Sequence, residues 1–129
     1  MSNLNLLYAA GNDLALVCGS FAPNMASAPL VSSFTNAAQF SSITHPGTGQ
    51  FLIKFTFSYP QLVSSWATIG LNAVADLKAQ FGAYTPAAAG APAQIILNIL
   101  AVATPTDIAA NANNRIFLGF IFRQTTWQQ

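Results

Sequence analysis

The chain has 129 residues, of which 53% are hydrophobic and only 5% charged, with a net charge of +1 and no glutamate. An ordinary soluble domain carries roughly 25% charged residues, so much of this surface is expected to be buried against other chains, since exposed apolar surface marks interfaces and charge keeps monomers apart. There is no clustered basic face for nucleic acid, no apolar run near the roughly 18 residues of a membrane span, and Cys18 stands alone, which excludes a disulfide framework or a cysteine zinc site.

The opening residues lack a basic region, and Gly11-Asn12-Asp13 interrupts their apolar run, which argues against a signal peptide. Leu4–Ala10 alternates weakly through Leu4, Leu6 and Tyr8. It has two readings: an extended arm lying against another chain, or the first strand of its own sheet. Residues 1–18 are accordingly set apart as arm or first strands, and residues 19–129 as a single β-sandwich domain. Gly11-Asn12-Asp13 is a turn signal, and Leu14–Cys18 a short apolar strand. Gly19–Pro29, small and with two prolines, reads as a loop. Leu30–Thr35 and Gln39–Thr44 are expected strands, and His45-Pro46-Gly47-Thr48-Gly49 closes a hairpin.

Gln50–Ser58 carries the clearest strand signal, with Phe51, Ile53, Phe55 and Phe57 on one face and Leu52, Lys54, Thr56 and Ser58 on the other. Tyr59-Pro60 ends it, because proline cannot donate to a ladder. Ser65–Leu71 is a further strand. Asn72 is a possible helix cap, but Leu77, Ala79 and Phe81 alternate, and strand is the better reading of Asp76–Phe81. Gly82–Ala93 is a loop and Gln94–Ala103 a strand. Thr104-Pro105-Thr106-Asp107 has the spacing of a helix start, with Thr104 capping, Pro105 at the first helical position and Asp107 reaching back.

Ala109–Thr125 is the stretch around which the chain is organised. Ala109–Asn114 is small and rich in Asn, which tolerates tight and left-handed turns. Ile116–Phe122 is then apolar on both faces, with Ile116, Leu118, Phe120 and Phe122 pointing one way and Phe117, Gly119 and Ile121 the other. Such a strand must be covered twice. Arg115 and Arg123 bracket it. Short strands punctuated by Gly, Pro and Asn predict an all-β antiparallel sandwich or jelly roll with one or two short helical turns.

The residue inventory is poor in chemistry. Asp13, Asp76 and Asp107 are the only carboxylates and are far apart in sequence. Cys18 and His45 are the only thiol–imidazole pair, and a lone Cys ending an apolar strand is usually packing. One His, one Cys and three Asp make a protein-only metal site a poor prospect. No phosphate-binding or dinucleotide motif is present, so no cofactor is expected. Tyr59, Trp66, Tyr84 and Trp127 are the aromatics from which a sugar-stacking platform would be built. Arg115 is expected to satisfy carbonyls of the Asn-rich turn or to pair with Asp107.

The succession GSFAPN (Gly19–Asn24), a GTG turn (Gly47–Gly49) leading into FLIKFTF, ADLKAQFGAY (Ala75–Tyr84) and TPTDIAANANNRIFLGFIFR (Thr104–Arg123) resembles small virion structural proteins of tailed bacteriophages, including head decoration or cement subunits. The resemblance runs from about Gly19 onward, and the Asn-Asn-Arg with its apolar strand is its most specific part. It implies a β-sandwich or jelly-roll module without an active site, made in the bacterial host cytoplasm and assembled on the capsid surface. Its partners would be the major capsid protein and itself, most simply as a trimer. The alternative is a fibre or tail-associated jelly roll binding a host receptor or glycan. The expected interface residues are Leu4, Leu6, Tyr8, Phe117, Ile121, Arg123 and Trp127.

Overall fold

The structure is a computed structural model and describes residues 14–124. Eight strands occur in it: β1 (Leu14–Phe21), β2 (Phe40–Gly47), β3 (Gln50–Phe55), β4 (Gln61–Gly70), β5 (Leu77–Phe81), β6 (Gln94–Ala101), the two-residue β7 (Thr104–Pro105) and β8 (Arg115–Arg123). All pairings are antiparallel. One sheet has the order β1-β8-β4; the other has the order β2-β3-β6-β5, with β7 added beside β6. The two sheets enclose one core, so the expected all-β sandwich is what the chain forms. β1 runs without a break across Cys18 and Gly19, which makes Leu14–Cys18 part of the sandwich.

Period-two alternation decides which side chains fill the core. Phe51, Ile53 and Phe55 of β3 are buried, as are Ile95, Leu97 and Ile99 of β6 and Ile116, Leu118, Phe120 and Phe122 of β8. Phe55 stands edge-on to Phe120 and Phe122, with ring centroids 5.2 and 5.4 Å apart. Phe21 meets Phe51 at 4.9 Å. These are the offset geometries that aromatic quadrupoles favour. β3 stops at Phe55, short of the expected Ser58, yet Phe57 and Tyr59 still pack against the core.

Local signals fail where a distant partner takes the groups they depend on. Leu30–Thr35 is not a strand; Val31–Ser33 forms a 3-10 turn. Ser33 holds that turn, since its hydroxyl donates to the Leu30 carbonyl and accepts from Ala22 N–H. Its carbonyl is gripped by both terminal nitrogens of Arg115 at 2.8 Å. Arg115 therefore satisfies a carbonyl of a different turn from the one expected and does not pair with Asp107.

Thr104–Asp107 starts no helix. Thr104 and Pro105 pair with Ala101 and Leu100, and Val102 turns the chain with φ +60°. Asp107 reaches sideways, accepting from Gly49 N–H and from His45 Nε2, each at 2.7 Å. The second 3-10 turn is Ala37–Gln39; Asn72 caps no helix, and β5 takes up the alternating residues. In the Asn-rich turn, Asn111, Asn113 and Asn114 have ordinary φ. Their value lies in the side chains: buried Asn114 accepts from Asn72 N–H at 2.8 Å and donates to the Ala109 carbonyl at 2.9 Å, tying two loops together.

Candidate functional site: the outer face of the three-stranded sheet

The two exterior faces of the sandwich differ in chemistry. Residues paired across an antiparallel ladder point to the same side. On the β2-β3-β6-β5 sheet, the outward set includes Ser42, Thr44, Lys54, Lys78, Gln80, Gln94 and Asn98, with Leu52, Ile96 and Leu100 only partly exposed between them. That is the polar exterior of a solvated antiparallel sheet.

The β1-β8-β4 sheet turns a different set outward. Its rows are Leu16–Ile121–Ser64, Cys18–Gly119–Trp66 and Ser20–Phe117–Thr68, with Val63 standing out at the β4 register shift. Leu16 is 53% exposed, Val63 51%, Phe117 48% and Trp66 43%. Apolar side chains thus cross all three strands of a face that carries no carboxylate, with Arg115 and Arg123 at the two ends of β8.

Backbone shape completes the face. A Cβ on Gly119 would overlap the Trp66 indole, so glycine at this position lets the ring lie flat across β8. A groove of about 410 Å³ lies beside Phe117, lined by Cys18, Ser20, Thr35 and Arg115. Another, of about 690 Å³, lies at the opposite end of β8, between Pro60–Val63, Gly82–Tyr84 and Arg123. The Tyr84 hydroxyl beside it donates to the Tyr59 carbonyl at 2.7 Å, and burial pushes its pKa up against the opposing effect of its hydrogen bonds to Tyr59 and Ser58.

Of the expected interface residues, Phe117, Ile121 and Arg123 lie together on this face; Leu4, Leu6, Tyr8 and Trp127 lie outside the described residues. Leu16, Val63 and Trp66 also stand on this face, which sequence reasoning did not show; Leu16 and Trp66 are turned outward by their register against β8, and Val63 stands out at the shift between Leu62 and Ser64. The sugar-stacking set is not assembled: Tyr59 and Tyr84 pack around Phe122 in the core, while Trp66 lies on the outer face.

Cys18 is exposed on β1 of one sheet, and His45 is on β2 of the other, engaged with Asp107. Burial opposes charge on Asp107, but the Gly49 N–H and the bond and charge of His45 outweigh it and hold the carboxyl below its ordinary range. Among the described residues no group of three His, Cys, Asp or Glu side chains gathers to hold a metal, and no helix is long and apolar enough to cross a membrane. No family model, curated protein or solved structure matches this chain.

Proposed function

We propose that this protein is a non-enzymatic structural subunit that docks on other protein subunits through the outer face of the β1-β8-β4 sheet. The exposed apolar surface of Leu16, Val63, Trp66 and Phe117, opposed to a polar second face, carries the reading. Surface of this kind on one side of a sandwich is what a lattice contact requires, at about 25 cal/mol per Å² of apolar area covered. Contacts that rest on apolar burial are also not weakened by ionic screening, unlike surface ion pairs. The sequence resemblance supplies the setting: a bacteriophage capsid, with this chain as a decoration or cement subunit, the major capsid protein as its partner, and a homo-oligomer as its working form.

The test is copy number together with face chemistry. Band intensity on a gel of purified virions should give hundreds of copies of this chain per particle. Phe117→Lys should lose binding to heads while keeping a melting temperature within a few degrees of wild type. A few copies per particle would indicate a fibre or tail component, and undiminished binding of the Phe117 variant would remove this face from the contact.

A further inference from the structure

Arg115 stands at the start of β8, on the wall of the groove beside Phe117. Both of its terminal nitrogens donate to one oxygen, the Ser33 carbonyl, at 2.8 Å. Among the described residues the rest of the guanidinium fork has no partner, and no carboxylate lies within ion-pair distance of it. Asp107 is taken by His45 and Gly49 at the β2–β3 hairpin. The charge is thus fixed in place by a neutral carbonyl and left without a counter-ion.

The other walls of the groove add no compensation. Ser20 and Thr35 spend their hydroxyls on each other at 2.7 Å, and Cys18, Phe117 and Leu118 are apolar. Apolar surface continues onto the turn that Arg115 holds, where Leu30 is 64% and Val31 71% exposed. A partner that covers Phe117 and its groove must therefore cover the guanidinium as well. Burying an unpaired charge is heavily penalised, whereas a carboxylate brought to the unused side of the fork gains charge-assisted bonds.

We infer that the docking partner presents a carboxylate side chain next to an aromatic or aliphatic one, the carboxylate accepting from Arg115 and its apolar neighbour entering the groove against Phe117. The inference rests on the docking reading above and names the chemistry of the partner at that face. Charge disfavours the other occupants. Two copies placed face to face would bring cation to cation, because among the described residues this face holds Arg115 and Arg123 and no carboxylate. Nucleic acid or another polyphosphate calls for clustered cations. Arg123 lies roughly 26 Å away along β8 at the rise of a strand, and Lys54 and Lys78 face outward from the other sheet.

An NMR titration of the isotope-labelled protein with N-acetylphenylalanine, which carries an aromatic ring beside a carboxylate, tests this. Backbone amide shifts should cluster at Cys18–Ser20 and Arg115–Leu118. The acid should bind roughly tenfold tighter than N-acetylphenylalaninamide, the ratio that a charge-assisted bond supplies. Equal binding of acid and amide, or shifts confined to other residues, would overturn the proposal. So would inorganic phosphate moving the same amides at lower concentration than the acid, which would make the groove a phosphate site. Arg115→Gln removes the charge and the fork, and it should erase the preference for the acid and weaken binding to heads. Should that variant misfold, the comparison of acid with amide on the wild-type protein decides alone. On heads, loss of binding by Phe117→Lys with full binding by Arg115→Gln would sink this inference and leave the docking reading standing; full binding by both would sink the two together.

Discussion

Trp66 lies across Gly119, its ring occupying the space that any larger residue on β8 would need. The two are register partners on adjacent strands. The ring covers a glycine that would otherwise expose the middle of the sheet, the arrangement by which aromatics compensate strand glycines. Gly119→Ala should therefore destabilise the protein by about 1–3 kcal/mol through overpacking, although alanine ordinarily suits a strand better. Combined with Trp66→Ala, the alanine should cost much less, giving a non-additive double-mutant cycle in urea unfolding. Additive costs would show that the ring and the glycine act independently.

The two faces of β8 should respond very differently to truncation. Phe120 is fully buried against Phe55 and Phe81, and Phe120→Ala should cost about 3–5 kcal/mol. Phe117, three positions earlier and pointing outward, should cost under about 1 kcal/mol when changed to Ala. Chemical denaturation of the two variants side by side gives the comparison, and equal losses would mean that the outer face is buried within the subunit.

Val102 is an exposed β-branched residue held at φ +60° in the turn from β6 to β7. Left-handed backbone costs an L-residue roughly 1–2 kcal/mol, most for branched side chains. Val102→Gly should raise stability by up to about 1 kcal/mol, the relief being partly offset by the greater freedom of glycine in the unfolded chain. A lower melting temperature would contradict the strain.

Asp107 should give the fold an acid-sensitive contribution. Its folded pKa lies below the ordinary value, so the native state favours the charged carboxylate. That stabilisation is complete above the unfolded pKa of about 3.9 and disappears as pH falls through the lower folded value. Asp107→Asn should melt below wild type at neutral pH, and the gap should close on acidification. A gap that stays constant into acid would show that the carboxylate charge contributes nothing.

How much of this was legible in the sequence depends on how far apart the interacting groups are. Phe51, Ile53 and Phe55 announce their burial through alternation with their nearest neighbours, whereas Ile116–Phe122, apolar on both faces, marks itself as a strand without saying which face is inward. The hairpin at Gly49 was also readable, because glycine there meets a local need: its φ is +67°. The failures are all non-local. The cap-like spacing of Thr104 and Asp107 counted for nothing once His45 and Gly49 claimed the carboxylate. The Ser33 turn is fixed by Arg115, which lies 82 residues later. Trp66 carries no mark in its own strand that says which way it points; only its pairing with Gly119 does.

The place of β8 between β1 and β4 also sets the order in which the molecule can be built. Leu14 pairs with Arg123 and Gln61 pairs with the same residue from the other side, so the earliest described strand and one from the middle of the chain both wait for the last. β2, β3, β5 and β6 find one another among residues already made, and their sheet can assemble while translation proceeds. β1 and β4, both made before β6, have no ladder partner among the described strands until Arg115–Arg123 arrives and slots between them. Closing so long a loop is slow, and during that interval the inner faces of two uncharged strands are open to solvent and to other nascent chains. Folding yield should therefore fall steeply with expression rate and recover on cooling, a cost imposed by chain order alone.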